Sequence, residues 1–238
     1  MSRLKRKANA LRSSQYSGRL TAEQAAAGMN AAAKNAARLA ADARLLFDNG
    51  RIPSALALAI LAIEESGKVA ILRGLAVSSD ESIKSGWRDY RTHTRKNVMW
   101  PLIFELKSGA RRFGDFAKLF DPDAEHPQLL DHVKQIAFYT DCFSNCNWSM
   151  PDKVIESDLA NSILRTAEVM ANVRVTTTEE IELWIEYLKP YWAGSNEDRA
   201  AALCAWDKEM RQRGLGGQGT ITIEKFIREG IPDPPIEN

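Results

Sequence analysis

The sequence is poor in the residues that build disulfide frameworks and zinc sites. Its 238 residues include three cysteines: Cys142, Cys146 and Cys204. Cys142 and Cys146 are spaced C-x3-C, but no second pair follows to complete a zinc site. We therefore expect buried thiols in a reducing compartment, without disulfides or a metal centre.

Long hydrophobic runs are also missing. The longest, Ala55–Ile63, is followed at once by Glu64 and Glu65, and it is much too short to span a bilayer. The basic N-terminus lacks the continuous apolar segment of a secretory signal. These features predict a cytoplasmic protein that makes no membrane contact.

Net charge does not indicate a nucleic-acid binder, because 32 lysines and arginines face 31 aspartates and glutamates. The distribution of charge is more informative. Residues 1–19 carry six basic side chains and no acid, and residues 84–118 carry nine basic side chains against three acids. A locally basic face suits a phosphate backbone. The alternative is a solvated surface or a protein interface.

Helical periodicity begins after a polar basic stretch that we predict to be disordered, residues 1–19. Thr21 and Gln24 form a capping-box pattern, and Asn49-Gly50 is a C-cap signal. A second helix follows with Pro53 in its first turn, and it is apolar nearly all round. The short connection predicts an antiparallel helical hairpin, with the second helix at the centre of a bundle.

The rest of the chain also predicts helices. They start near Gly86 with a break near Trp100, and continue over 128–140, 153–173, Thr178–Tyr191 and Glu197–Arg213. No alternating strand pattern exceeds Thr220–Ile223, so the predicted fold class is all-α. The glycine-rich segment 214–219 lacks the Lys-Ser/Thr of a phosphate loop and is predicted to be a linker. No cofactor is expected.

Three segments, in order, carry a family resemblance. Asn49-Gly50-Arg51 is followed by the run Ala55–Lys68, which ends in Glu-Glu-Ser-Gly-Lys. Next come Trp87–Lys96 and then Ala137–Cys142, with Trp148 and Pro151 beyond. This pattern resembles the AbiV-type abortive-infection proteins, a branch of the HEPN superfamily of RNA-targeting helical bundles.

The resemblance implies a HEPN-like helical bundle over residues 20–175, found as dimers and acting against bacteriophage. Residues 176–213 are then a helical extension, and residues 214–238 a flexible C-terminal tail. We expect a homodimer whose partners are RNA and a phage-encoded activator protein.

HEPN ribonucleases resemble one another in an Arg-x4–6-His motif, and Arg88 and His93 match it. Metal-free RNA cleavage needs a group that moves a proton to or from the ribose 2′-hydroxyl or the leaving oxygen, and a cation that holds the charged phosphoryl oxygens. An imidazole exchanges protons near neutral pH, and a guanidinium grips a phosphoryl group. Five positions along one helix separate the two side chains by about 140°. They converge only if Arg88 opens its helix or if two protomers pool their motifs.

A second polar cluster is formed by Glu64, Glu65 and Lys68. Glu64 and Lys68 are spaced as an i,i+4 ion pair. On so apolar a helix, at least one of the two acids must face inward, where it needs a cation from the next segment. We predict that Glu64 or Glu65 orients His93 or an arginine, and the alternative is a buried structural ion pair. By resemblance, Asp141 joins the same network.

Three further cations, Arg91, Arg95 and Lys96, are predicted to bind RNA from the protein surface. His126 and His132 have no ligand spacing, and we predict solvated side chains there and no metal. Trp184, Trp192 and Trp206 are predicted to be core or interface anchors.

The sequence supports two functional hypotheses. The first is a metal-independent ribonuclease, with Arg88, His93, Glu64, Glu65 and Lys68 in its site, that stops translation once a phage factor triggers it. The second is a non-catalytic dimeric helical adaptor that binds RNA or a phage protein. The Arg-x4-His match lies earlier in the chain than in many catalytic HEPN proteins, which keeps the second hypothesis open.

Overall fold

The computed structural model describes residues 15–121, 123–216 and 221–232. The all-α fold class is confirmed, with one small β-hairpin in addition. The α-helices are α1 Ala22–Asp48, α2 Ile52–Val77, α3 Ile83–Arg91, α4 His93–Lys96, α5 Leu102–Lys107, α6 His126–Phe138, α7 Pro151–Val154, α8 Ser157–Ala171, α9 Thr178–Leu188, α10 Asn196–Gln212 and α11 Ile223–Glu229. Strands β1 Asp141–Phe143 and β2 Asn147–Ser149 pair antiparallel, and 3₁₀ helices cover Phe113–Phe120 and Lys189–Tyr191.

Helix α1 begins and ends where the sequence predicts. The Thr21 side chain accepts a hydrogen bond from the Gln24 N–H, and the Gln24 side chain accepts one from the Thr21 N–H. This reciprocal cap satisfies two backbone donors that the first turn would leave unpaired. Gly50 has a φ of 71° and turns the chain into α2, because glycine adopts the left-handed region without a steric penalty.

Helices α1 and α2 pack along each other and form the spine of the molecule. The second half of α1 and the first half of α2 meet α6 and α8 in one buried apolar cluster. Alanines at the contact, including Ala36, Ala40, Ala59 and Ala62, are almost fully buried. Small side chains let helix backbones approach closely, so this half of the bundle is tightly packed.

A second apolar cluster is built on the other end of the same spine. The start of α1 and the end of α2 contact α3, α9 and α10 there. Trp184 and Trp206 are buried in this cluster, with ring centroids 5.2 Å apart and planes nearly perpendicular. Their role as core anchors is therefore confirmed, whereas Trp192 stays about a third exposed.

Several local expectations are wrong. The helix predicted over 153–173 is split into α7 and α8 by extended backbone at Ile155 and Glu156. The hairpin β1–β2 falls in a stretch that has no strand pattern, since its strands are only three residues long. Cys142 and Cys146 lie on this hairpin and are exposed, so the expected buried thiols are found at neither position.

The two terminal segments also differ from expectation where the structure describes them. Helix α11 lies inside the predicted flexible tail, and its Phe226 contacts Phe113 and Phe116. At the other end, Tyr16 packs edge-on against Trp87, and Arg19 forms an ion pair with Asp80. The predicted disorder of residues 1–14 lies outside the described residues.

The segment after α2 contains one more break than expected. Helix α3 stops at Arg91, and Thr92 has extended backbone with φ −87° and ψ 127°. The Thr92 hydroxyl and N–H both bond the Arg88 carbonyl and close the end of α3. His93 then opens the separate short helix α4, so the Arg-x4-His match does not run along one helix.

Across the described residues, no helix combines the length and the apolar composition needed to cross a membrane.

Candidate functional site

The site centres on the Glu64 carboxylate, in the middle of the buried helix α2. Its side chain is 3% exposed. Oε2 lies 2.6 Å from Nδ1 of His93, and Oε1 accepts a hydrogen bond of 2.5 Å from the Lys134 ammonium. A buried carboxylate is costly unless charged partners surround it. Glu64 receives partners from α4 and α6, two elements distant in sequence, so only the folded bundle makes it stable.

Two lysines complete the charged cluster around this carboxylate. Lys96 on α4 places its Nζ 3.6 Å from Glu64 Oε2, and Lys134 on α6 also pairs with Asp131 at 2.7 Å. Burial lowers the pKa of the Lys96 ammonium. Burial also works against the charged form of Lys134, but hydrogen bonds to Asp131 and Glu64 outweigh it and raise the pKa of this ammonium.

His93 is the solvent-facing member of the cluster. Its side chain is 59% exposed, although Nδ1 contacts a buried carboxylate. Since Glu64 is engaged at Nδ1, Nε2 is left available to a molecule arriving from solvent. A carboxylate behind an imidazole fixes the orientation of the ring. Of the two acids predicted to orient His93 or an arginine, Glu64 is the one in contact with His93, and its orienting role stays a prediction.

The close approach of α4 to α2 depends on a glycine. A Cβ built on Gly67 would stand 2.0 Å from the Lys96 carbonyl oxygen. Any larger residue would push α4 away and separate His93 from Glu64. The glycine of the Glu-Glu-Ser-Gly-Lys run therefore has a steric role in forming the site.

Arg88 is not part of this cluster. It lies exposed near the end of α3, and no side-chain contact among the described residues joins it to His93. Because the chain breaks at Thr92, Arg88 and His93 lie on two different helices, and the 140° separation expected along a single helix does not apply. Within one chain, the structure does not bring the predicted arginine and histidine together.

The three cations predicted to bind RNA have different environments. Lys96 is buried against Glu64, so its predicted place on the surface is wrong. Arg91 donates a hydrogen bond to the Tyr16 carbonyl and stacks over the Trp87 ring. Arg95 is well exposed and lies 3.7 Å from Asp89, beyond ordinary hydrogen-bond distance. Arg95 is the member of the three that remains open to an anion.

Lys68 pairs with Glu65 and not with Glu64, contrary to the i,i+4 expectation. Its Nζ lies 2.5 Å from Glu65 Oε1 and 5.2 Å from the centre of the Tyr90 ring. The Glu64 side chain points into the bundle, whereas the Glu65 side chain is partly exposed. Lys68 therefore pairs with Glu65 instead of Glu64. Asp141 is exposed on β1, and its backbone N–H bonds the Ser149 hydroxyl. Its predicted place in the Glu64 network is wrong.

The family model HEPN_AbiV, described as AbiV, matches residues 24–172. That range is more than half of the chain. The chain belongs to the AbiV family. No curated protein and no solved structure gives a significant match.

The AbiV match contains the whole charged cluster. Glu64, His93, Lys96, Asp131 and Lys134 all lie within residues 24–172. Helices α9 and α10 follow the matched range and supply seven of the sixteen buried residues of the second apolar cluster. The AbiV part of the chain therefore holds the site, and the later helices support the far end of the α1–α2 spine.

A metal ion is the alternative occupant of this cluster. Single ligand atoms of Glu64, His93 and Asp131 lie within 4.8 Å of one another. The Lys134 ammonium, however, already lies between the two carboxylates, at 2.5 Å from Glu64 and 2.7 Å from Asp131. A metal ion would have to displace this buried ammonium, so the Glu64 and Asp131 carboxylates fit Lys134 better than they fit a metal ion.

Sequence reasoning missed Lys134 and the part that Asp131 plays beside it. A signal was present, since Leu130, Lys134 and Ala137 share one buried face of α6. A lysine on the buried apolar face of a helix needs a buried acid as its ion-pair partner, because an unpaired buried charge is costly. The partner itself lies 70 residues away in sequence.

Proposed function

We propose that this AbiV-family protein is a metal-independent HEPN-type endoribonuclease that stops translation in phage-infected cells. One observation carries the proposal: an exposed imidazole, His93, is held through Nδ1 by a buried glutamate. Such a pairing is suited to proton transfer at Nε2. Lys96 and Lys134 pair with the Glu64 carboxylate, so the site needs no metal ion to balance this acid.

The proposed reaction is a transesterification. The ribose 2′-oxygen attacks the adjacent phosphorus, and the bond from phosphorus to the 5′-oxygen breaks. His93 Nε2 takes the proton from the 2′-hydroxyl while solvent protonates the leaving 5′-oxygen, or protonated His93 gives its proton to the 5′-oxygen while solvent takes the proton of the 2′-hydroxyl. The products are a 2′,3′-cyclic phosphate and a 5′-hydroxyl, and no water, metal or oxidant is consumed.

A second protomer is part of the proposal, since Arg88 and His93 do not meet within one chain. We propose a homodimer in which Arg88 of one protomer supports the phosphoryl group at His93 of the other. Exposed apolar side chains on and around the β1–β2 hairpin support such an interface. They are Phe138, Tyr139, Phe143, Trp148 and Met150.

The test is RNA cleavage by the full chain in buffer containing a metal chelator. His93→Ala should lower the rate by about 100-fold or more, because one proton-transfer group contributes that much. Glu64→Gln should lower it by about tenfold or more, since the ring loses its charged partner. Lys34→Ala, an exposed change on α1, is the matched control. Equal rates of RNA cleavage by the wild-type protein and by His93→Ala would contradict the proposal.

The adaptor is the second candidate, and the separation of Arg88 from His93 favours it. In this case the protein binds RNA or a phage protein without cutting it. Charge reversal at Arg95 would then abolish phage resistance, and His93→Ala would leave it intact. The phage-encoded activator is common to both proposals, and co-purification from infected cells with tagged wild-type protein would identify it.

A further inference from the structure

A cavity of about 550 Å³ lies at the end of the α1–α2 spine, away from the charged cluster. The end of α2, the start of α3 and the turn over Lys189–Trp192 enclose it. Its polar lining includes Ser79, Ser82, Arg95 and Lys189, and Trp192 contributes the aromatic surface. Arg95 lies on α4 between His93 and Lys96, but none of the residues of the Glu64 cluster lines the cavity, so the cavity is a separate feature beside the cluster.

We propose that this cavity binds one nucleotide of a single-stranded RNA, with its base on Trp192 and its phosphate on Lys189 and Arg95. The inference rests on the proposed function, because it supplies a substrate subsite for the same nuclease. It adds residues from beyond the AbiV-matched range to RNA recognition.

The charges of the cavity suit a phosphate group. Lys189 is exposed and has no ion-pair partner among the described residues. Arg95 is only loosely paired, at 3.7 Å from Asp89. Either cation can turn to an incoming anion without breaking a tight ion pair. Asp89 also lines the cavity, so its two basic side chains face one acid and the lining keeps a net positive charge. Such a charge beside a mostly apolar surface attracts a phosphate that carries an aromatic base.

Trp192 presents a fixed aromatic surface. Its indole is 36% exposed and packs edge-on against Trp184, with the ring centroids 6.2 Å apart. Trp184 is itself held by a hydrogen bond of 3.0 Å from its Nε1 to the Arg73 carbonyl and by contact with Trp206. Because the Trp192 indole is already held in position, little side-chain entropy is lost when a base stacks on it, and this favours binding.

Serine hydroxyls supply hydrogen bonds to the base or the ribose. Ser79 and Ser82 are exposed, and their hydroxyl oxygens lie 3.1 Å apart. Each hydroxyl can both donate and accept, so the pair can serve different base edges. The cavity is therefore suited to nucleotides in general and not to one base.

The cavity is also placed to serve the His93 site. Ile71, on its lining, lies seven residues after Glu64 on α2, which corresponds to about 10 Å along the helix axis. Arg95 lies two residues after His93 and lines the cavity. One RNA strand can therefore place neighbouring nucleotides at His93 and on Trp192.

The experiment measures binding separately from cleavage. The probe is a short fluorescent RNA with 2′-O-methyl riboses, which cannot undergo the proposed reaction, and binding to the full chain is followed by anisotropy. Trp192→Leu should weaken binding by about tenfold, within the usual range for loss of one stacked base. Trp192→Phe should restore most of it, and Lys189→Glu should weaken binding by about tenfold or more. Lys34→Glu, at an exposed position on α1 that does not line the cavity, is the matched charge reversal.

Each outcome bears on the cavity independently of the nuclease. Selective loss with Trp192→Leu and Lys189→Glu supports the subsite, even if His93→Ala still cleaves RNA. Unchanged binding in both variants overturns it, even if RNA cleavage depends on His93. A polyglutamate peptide that binds as tightly as the RNA would also overturn it, because that shows charge attraction alone. Tight Trp192-dependent binding of AMP with no binding of the RNA would identify a free nucleotide as the source of the ligand.

Discussion

Two buried glutamates, Glu64 and Glu180, are satisfied in different ways. Glu180 lies in the first turn of α9, where it accepts a hydrogen bond of 2.7 Å from the Thr177 N–H and pairs with the half-exposed Arg174. Its hydrogen-bond and ion-pair partners among the described residues lie within six residues of it, and the partly buried Arg73 on α2 adds an electrostatic attraction from farther along the chain. Glu64 takes its partners from two separate helices, and one of them, His93, faces solvent. Burial alone therefore does not mark a functional carboxylate, whereas convergence of distant elements on an exposed imidazole does.

The comparison predicts the largest effect at Glu64. Glu64→Ala leaves the Lys134 and Lys96 ammonium groups buried without their shared carboxylate. We expect the free energy of unfolding to fall by about 3–5 kcal/mol, which is typical when one partner of a buried pair is removed. Urea denaturation followed by circular dichroism measures it. A loss no larger than that of Glu180→Ala would remove the distinction between the two carboxylates.

A change at Gly67 tests whether α4 must approach α2 closely. Gly67→Ala places a Cβ against the Lys96 carbonyl and should cost about 2–3 kcal/mol through overpacking. It should also separate His93 from Glu64, which a structure of the variant would reveal. Gly74→Ala on the same helix is the matched control, because its Cβ would meet Trp192 at an ordinary 3.7 Å. Similar stability losses for both alanines would contradict the steric role.

The Glu180 side of the comparison predicts a smaller effect. Glu180→Ala removes a capping box, but Arg174 can turn to solvent because its side chain is half exposed. We expect a loss of about 1–2 kcal/mol in the free energy of unfolding, as for other N-terminal caps. Thermal unfolding of Thr177→Ala, which removes the reciprocal half of the same cap, should give a similar value. RNA cleavage should stay at the wild-type rate in both variants.

The smallest effect on stability is expected at His93. His93→Ala removes an exposed ring and leaves Glu64 paired with Lys134 and Lys96, so the free energy of unfolding should change by less than about 0.5 kcal/mol. The same denaturation experiment measures it, beside the cleavage assay already described. A loss of several kcal/mol would assign His93 a structural role and weaken the comparison.

Much of the fold was predictable from local patterns. The Thr21 and Gln24 cap, the Gly50 turn and the apolar second helix follow from capping chemistry and periodicity. The β1–β2 hairpin was not predictable, because three-residue strands carry no alternating pattern. The break at Thr92 was missed for a similar reason, since a threonine within a polar stretch carries no strong stop signal.

The candidate site was also predictable only in part. Glu64 or Glu65 was predicted to orient His93 or an arginine, because an acid on an apolar helix needs a partner from the next segment. The structure brings Glu64 and His93 into contact. The predicted surface position of Lys96 was wrong, because burial depends on how α4 lies against α2. The roles of Arg88, Arg91, Arg95, Glu65 and Lys68 in RNA cleavage or binding stay predictions.

The sequence by itself determined the all-α class, the helical hairpin and the family, since these depend on periodicity, caps and ordered motifs read along the chain. Only the tertiary structure decided which charges meet. Lys134 and Glu64 are 70 residues apart, and their attraction becomes strong only when packing removes both from water.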